Sequence, residues 1–192
     1  METGEVMTPL DAFKLEMARI DKPQMLLCGA KPWPNSQDPD HRAHVPTGVW
    51  MTTDIEAGRG VDIVCDLQTL YRHDGTAYLN RFDGIFCPAV LEHINRPWCA
   101  LYSMSRLLRV GGSLYIQTHQ TFPLHGYPHD YFRFSREALE LLSIDAGLDV
   151  VQSGYDGPCS IVPSGETTVW NVLAEAFLNV TICAKKNNPL PI

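Results

Sequence analysis

RFDGIFCPAVLEHINRPWCALYSMSRLLRVGGSLYIQT, running from Arg81 to Thr118, is the stretch whose reading decides the fold. Phe82 to Cys87 is a short apolar run without a periodic polar face, the pattern of a strand buried on both sides of a parallel sheet. From Pro97 to Arg109 the period changes. Trp98, Leu101, Tyr102, Met104, Ser105 and Leu108 fall on one helical face, Pro97 suits a first helical position, and Arg106 and Arg109 stand near the negative end of the dipole. Gly111-Gly112 reads as the stop of that helix and Ser113 to Thr118 as the next strand. Strand, helix and strand with short joins form a right-handed crossover unit of an α/β sheet. Such sheets bind ligands beyond the carboxyl ends of their strands, which directs attention to Cys87 to His93 and to the chain from His119 onward.

Working outward, the composition is that of an ordinary globular chain: 192 residues, 45% hydrophobic and 19% charged. A net charge of -7 disfavours nonspecific binding to nucleic acid or to an anionic membrane surface. The six cysteines, at 28, 65, 87, 99, 159 and 183, form no CxxC pair. Those at 28, 65, 87 and 183 fall in expected buried strands, so they read as reduced core thiols rather than a disulfide framework. The opening METGEVMTPLDAF has neither a basic nor an apolar leader segment, and no 18 apolar residues run together. The expectation is a cytoplasmic protein organised as a single domain over 1–192.

The rest of the chain punctuates itself. Thr8 to Ile20 reads as an amphipathic helix capped by Thr8, with Pro9 first and Leu10, Phe13, Met17 and Ile20 along one stripe. Gln24 to Cys28 reads as strand one. Four prolines between Lys31 and Gly48 make a long helix there unlikely to form, so the usual first helix is short or absent. Val49 to Thr53 and Val61 to Cys65 read as strands two and three, with a loose helix in Tyr71 to Asn80. Ser135 caps a helix that ends at Ala146-Gly147, followed by a strand over Leu148 to Tyr155, a loop from Pro158, a helix over Thr168 to Phe177 and a last strand over Leu178 to Ala184. The tail from Lys185, with its polar residues and prolines, reads as disordered, and the core spans 24–185.

Val90-Leu91-Glu92-His93 and Arg106-Leu107-Leu108-Arg109-Val110-Gly111-Gly112, at this separation, resemble the "VLEH" step after strand four and the helix exit before strand five of class I S-adenosylmethionine-dependent methyltransferases. The resemblance implies a Rossmann-like, mostly parallel sheet of seven strands in the order 3-2-1-4-5-7-6, the last strand antiparallel, with helices on both faces. It also implies S-adenosyl-L-methionine as cofactor and S-adenosyl-L-homocysteine as product. Asp54, at the end of strand two, stands where the family binds the ribose hydroxyls, with Ile55 beside it. Asp66 and Leu67, after strand three, stand where it receives the adenine. Cys28, Gly29 and Ala30 would face the amino-acid portion, where a missing Cβ permits close approach. Cys87, Pro88, Ala89 and His93 fall in the segment that lines the cofactor pocket. The stretch GAKPWP, with one glycine and two prolines, departs from the family's glycine-rich turn; it also lacks the G-x-G-x-x-G cradle a dinucleotide pyrophosphate needs.

On the substrate side, THQTFPLHGYPHDYFRF, Thr118 to Phe134, carries three histidines, an Asp, two tyrosines and an Arg. Its pattern of His125, Pro128, Asp130, Tyr131, Arg133 and Phe134 resembles that of methyltransferases encoded among sugar, lipopolysaccharide and natural-product genes. A hydroxyl acceptor benefits from a general base, for which His125 and His129 are the candidates, followed by His119. His119, Asp130, Tyr131 and Arg133 are the expected substrate contacts, with a structural Asp-Arg pair as the plainer reading of Asp130 and Arg133. The histidines lack HxH or HExxH spacing, so no metal is expected. His41 and His44 read as solvated surface or as a lid over the cofactor. The expected function is O- or N-methylation of a small or sugar-like acceptor, with oligomeric state open; the alternative is a degenerate methyltransferase fold serving as a binding or regulatory module.

Overall fold

The computed structural model describes residues 6–32, 39–72, 74–126, 129–161 and 176–190. Its elements are α1 (Pro9–Ala18), β1 (Gln24–Cys28), β2 (Val49–Asp54), β3 (Ile63–Val64), β4 (Phe82–Pro88), α2 (Pro97–Leu107), β5 (Leu108–His119), α3 (Arg136–Asp145), β6 (Asp149–Cys159) and β7 (Ala176–Lys185). The seven strands form one sheet in the order β3-β2-β1-β4-β5-β7-β6. β1, β2, β3, β4 and β5 pair in parallel, whereas β7 runs antiparallel to both β5 and β6. This is the expected α/β architecture, with helices on both faces.

α1 covers one face. Thr8 and Asp11 cap it reciprocally, satisfying backbone donors that the helix leaves free. Phe13 and Met17 then pack with Met25, Phe86 and Tyr115. A Cβ at Gly84 would stand 2.5 Å from Met17 Sδ, so the bare backbone of β4 is what lets α1 lie flat on the sheet. The 3-10 turn His41–His44 stands where the first crossover helix would otherwise run. His44 stacks on Phe86 and His41 packs against it at a tilt, both with ring centroids at 5.3 Å, so the two imidazoles pack on the α1 face rather than standing in solvent.

α2 and α3 cover the other face, over a core that includes Leu101, Met104, Leu107, Leu139 and Ile182. Trp98, expected on the inward face, is 53% exposed; Pro97, Ala100, Leu101 and Met104 turn inward instead. The helix also stops at Leu107, before the glycine pair, because Leu108 already pairs with Phe82 as a strand residue. Lys186 explains the early exit. Fully buried, it donates through Nζ to the carbonyls of Ser105 and Leu108 at 2.9 and 2.7 Å and to Asn80 Oδ1 at 2.9 Å, capping the helix with a cation. The start of the tail is therefore ordered, contrary to expectation. Other boundaries shift as well: β3 is shorter than expected, β6 reaches Cys159, and Ala176 and Phe177 are strand rather than helix. The remainder of the helix expected over 168–177 lies outside the described residues. All six cysteines are free thiols; those at 28, 87 and 183 are buried, while Cys65 is half-buried.

Candidate functional site

The parallel register brings the carboxyl ends of the strands together. Cys28 lies beside Thr53 and Leu27 beside Phe86, so the turns leaving β1, β2 and β4 emerge at one rim. The amides of Gly29 and Ala30 both donate to the Thr53 carbonyl, at 2.9 and 3.2 Å, and the amide of Cys65 donates to the Asp54 carbonyl at 2.9 Å. Asp54 thus ends β2, and Asp66 stands two residues beyond the end of the adjacent β3. Asp54 Oδ2 accepts from the Lys31 amide at 2.9 Å and Oδ1 from the Glu56 amide at 3.0 Å, which fixes the carboxylate while leaving each oxygen a further lone pair. Asp66 Oδ1 accepts from the Gln68 amide at 2.9 Å. Ile55 is 62% exposed beside Asp54, whereas the Leu67 side chain is buried in the core.

Gly29 has φ +71°, and a Cβ there would stand 2.4 Å from Val90 Cγ2. The space this glycine leaves is occupied by the first residue of the VLEH step. Ala89 holds a left-handed backbone at φ +47°, about 1–2 kcal/mol of strain for an L residue, and its amide donates to the Gln117 carbonyl at 2.8 Å. Cys28 and Cys87 face the core, where contact with Cys28, burial and nearby Glu92 push the Cys87 thiol well above its ordinary range. They reach the rim only through their backbone.

The β4–β5 pairing, with Pro88 beside Gln117, sets the VLEH turn against the end of β5. There the structure assembles a group that sequence reasoning missed, centred on Glu92. This carboxylate is fully buried. Its Oε2 accepts from Thr118 Oγ1 at 2.7 Å, while Oε1 lies 3.2 Å from His119 Nε2, 3.8 Å from His93 Nε2 and 4.0 Å from His125 Nε2. Glu92 lies inside the VLEH motif; what the linear pattern conceals is that Thr118, His119 and His125 come to it across the sheet. Burial holds the His119 imidazole below its ordinary 6.5, with the Glu92 carboxylate opposing that shift.

The loop from His119 to Phe134 is stitched to this turn. The amides of Tyr131 and Phe132 donate to the Glu92 carbonyl at 2.8 and 3.3 Å, and the Phe134 amide donates to the His119 carbonyl at 2.9 Å. Arg133 forks onto Asp130 at 2.5 and 2.7 Å and also donates to the carbonyls of Phe122, Pro123 and Phe132. That fork holds the Asp130 carboxyl well below the usual carboxylate range. Asp130 in turn accepts from the His125 amide at 3.0 Å. A Cβ at Gly126, where φ is +102°, would stand 2.5 Å from His93 Cε1, so glycine lets the loop press onto that imidazole. His129 contributes its carbonyl, 2.7 Å from His93 Nδ1; its ring is exposed beside Tyr131. Of the two histidines expected to act as base, the structure brings the ring of His125, not that of His129, to the Glu92 group.

Residues 59–116 match the protein family described as "Methyltransferase domain". A 1,6-didemethyltoxoflavin-N1-methyltransferase from Burkholderia thailandensis, solved with 1,6-didemethyltoxoflavin and S-adenosylhomocysteine, superposes with a TM-score of 0.59 at 15% identity, over 95% of this chain and 80% of that one. The chain has the class I methyltransferase fold. An S-adenosylmethionine-dependent methyltransferase from Archaeoglobus fulgidus shares this fold at a TM-score of 0.59 and 15% identity, covering 92% of this chain and 94% of that one. So does a chain in the complex between the Haloferax volcanii Trm112 methyltransferase activator and a methyltransferase, at 0.59 and 14%, covering 93% and 90%. At these identities the likeness is one of methyltransferase fold. No curated protein sequence matches significantly. Among the described residues no helix is long and apolar enough to cross a membrane.

Proposed function

We propose that this chain is an S-adenosylmethionine-dependent methyltransferase acting on an oxygen or nitrogen of a small or sugar-like acceptor. One observation carries the reading: Asp54 ends β2 and Asp66 follows the adjacent β3, at the rim where the Gly29–Ala30 turn leaves β1. The donor set fits a nucleoside. A carboxylate already fixed by two amides is preorganised to accept the two hydroxyls of a ribose, and no phosphate cradle is needed for a cationic, phosphate-free cofactor.

Bound at these strand ends, S-adenosylmethionine supplies a sulfonium-activated methyl group. The residues of the chain have to hold the acceptor in line with that methyl and keep water away, which supplies most of the acceleration in such a displacement. The loop around Asp130 and Arg133 forms the rigid wall that does this, with Tyr131 and Phe122 as apolar surface against the acceptor. His125 Nδ1 faces only oxygen acceptors, the Pro123 carbonyl at 3.2 Å and Asp130 Oδ2 at 3.5 Å, so it carries the proton and leaves Nε2 as a lone pair, the state required of a base. His119, behind it, lines the same end of the site.

A second reading, a binding or regulatory module on the same fold, draws on Val90 standing over Gly29 and on the two amides already held by Asp54. Isothermal titration with S-adenosylmethionine and S-adenosylhomocysteine separates the two. Saturable binding of both favours the enzyme; absence of heat with either, on folded protein, favours the module.

A further inference from the structure

We propose that Glu92, His119 and His125, with His93 beside them, form a site for one divalent transition-metal ion at the acceptor end of the cleft. His119 Nδ1 lies 3.0 Å from Asn179 Oδ1, His125 Nδ1 lies 3.2 Å from the Pro123 carbonyl, and His93 Nδ1 lies 2.7 Å from the His129 carbonyl. The partners of His125 and His93 are backbone carbonyls, so in these two Nδ1 carries the hydrogen and Nε2 presents a lone pair; His119 does the same with the Asn179 amide presenting its oxygen. All three Nε2 atoms then point toward Glu92 Oε1, at 3.2, 3.8 and 4.0 Å. Among the described residues no hydrogen bond reaches that oxygen, although it is fully buried. The ligand atoms of Glu92, His119 and His125 thus converge on one point, which a cation resolves, with His93 Nε2 next to the same carboxylate. Nδ1–H to carbonyl is also the arrangement that orients metal-ligating histidines.

The spacing agrees with this assignment. Two ligands held about 2.1 Å from a metal in tetrahedral geometry stand roughly 3.4 Å apart. His119 and Glu92 are already at 3.2 Å, and the ligand atoms of Glu92, His119 and His125 lie within 4.8 Å of one another. His125 needs the largest adjustment, and it is the ligand carried by the loop, with a side chain 29% exposed. Two imidazoles with one carboxylate suit a borderline transition ion such as Zn²⁺; Mg²⁺, which prefers oxygen, does not suit them. Glu92 sits in the 3-10 turn Leu91–His93 that follows β4 and His119 is the last residue of β5, so most of the site is preorganised.

The metal site stands on this geometry alone; only its placement on the acceptor side rests on the methyltransferase reading. An open coordination position there takes an acceptor hydroxyl. With an ion bound, His125 is a ligand and the acceptor's proton leaves to solvent, so the base role given to His125 above belongs to the ion-free protein.

The test uses the full chain, stripped with a chelator and titrated with Zn²⁺ and with Mg²⁺ by calorimetry, with metal content measured after dialysis. Zn²⁺ binds at one equivalent, at least tenfold tighter than Mg²⁺. His125→Ala weakens it at least tenfold with the melting curve retained, Glu92→Gln abolishes it, and His129→Ala leaves it unchanged. Because Glu92→Gln risks the fold, the loop variant His125→Ala is decisive. No stoichiometric Zn²⁺ binding at 100 μM, equal affinity for Mg²⁺, or Zn²⁺ binding unchanged in folded His125→Ala overturns the proposal. S-adenosylhomocysteine binding is measured on the same stripped protein, so the metal site and the methyltransferase reading can fail independently.

Discussion

Replacing Asp54 tests the nucleoside grip, and the structure sets the size of the effect. In Asp54→Ala the amides of Lys31 and Glu56 lose their acceptors at 2.9 and 3.0 Å. Both stand near solvent, so each loss costs about 0.5–1 kcal/mol. A total of about 1–2 kcal/mol lowers the melting temperature of a chain this size by roughly 2–8 °C. Binding suffers more. Two charge-assisted hydrogen bonds to a ribose contribute about 1.5–3 kcal/mol each, so S-adenosylhomocysteine affinity falls by upward of roughly 100-fold. Asp54→Asn separates the two effects: it keeps one carbonyl oxygen for the turn but removes the charge, giving a smaller thermal shift and at least a tenfold loss of affinity. Calorimetric titration and thermal melting on the same samples read both quantities. Folded Asp54→Asn that binds S-adenosylhomocysteine within twofold of wild type refutes the assignment.

Other residues give sharp expectations. Lys186→Met keeps the volume but leaves three acceptors without their cation; it costs about 2–4 kcal/mol in denaturant unfolding, and a loss below about 1 kcal/mol contradicts the capping role. Gly29→Ala combines φ +71° with the contact on Val90 and costs about 2–4 kcal/mol; adding Val90→Ala returns about 1–2 kcal/mol of it, whereas strict additivity refutes the contact. His119 titrates below its ordinary 6.5 in the folded chain because it is buried, so the unfolded chain takes up the proton first and stability falls as pH drops below 6.5. A melting series across that range shows the slope, and His119→Gln flattens it. The Arg133 fork depresses Asp130 in the same sense, so its stabilisation is full well above 3.8 and is lost below it. Asp130→Asn removes that acid-side loss.

The β4–α2–β5 unit was legible in the sequence because its signals are local: an apolar run, a change of period and a proline that opens the helix. The positions of Asp54 at the end of β2 and of Asp66 just past β3 were legible for the same reason, as the first acids after short apolar runs. What the sequence could not display is whatever depends on register. Glu92 and Thr118 are 26 residues apart and meet only because β4 and β5 pair in parallel. Histidine spacing on a loop gave no sign of a common centre, since that centre is a carboxylate from the turn after β4. Lys186 looked like part of a polar tail because its acceptors are backbone carbonyls of α2 and β5, which no side-chain pattern announces. The exit of α2 at Leu107 follows from the same contact and from the pairing of Leu108 with Phe82.

The most direct measurement is a crystal structure of this chain grown with S-adenosylhomocysteine. The account predicts a nucleoside across the ends of β1, β2 and β4, its ribose hydroxyls on Asp54 and its adenine beside Asp66. Density for the ligand elsewhere, or a rim left clear of it at saturating concentration, contradicts the account.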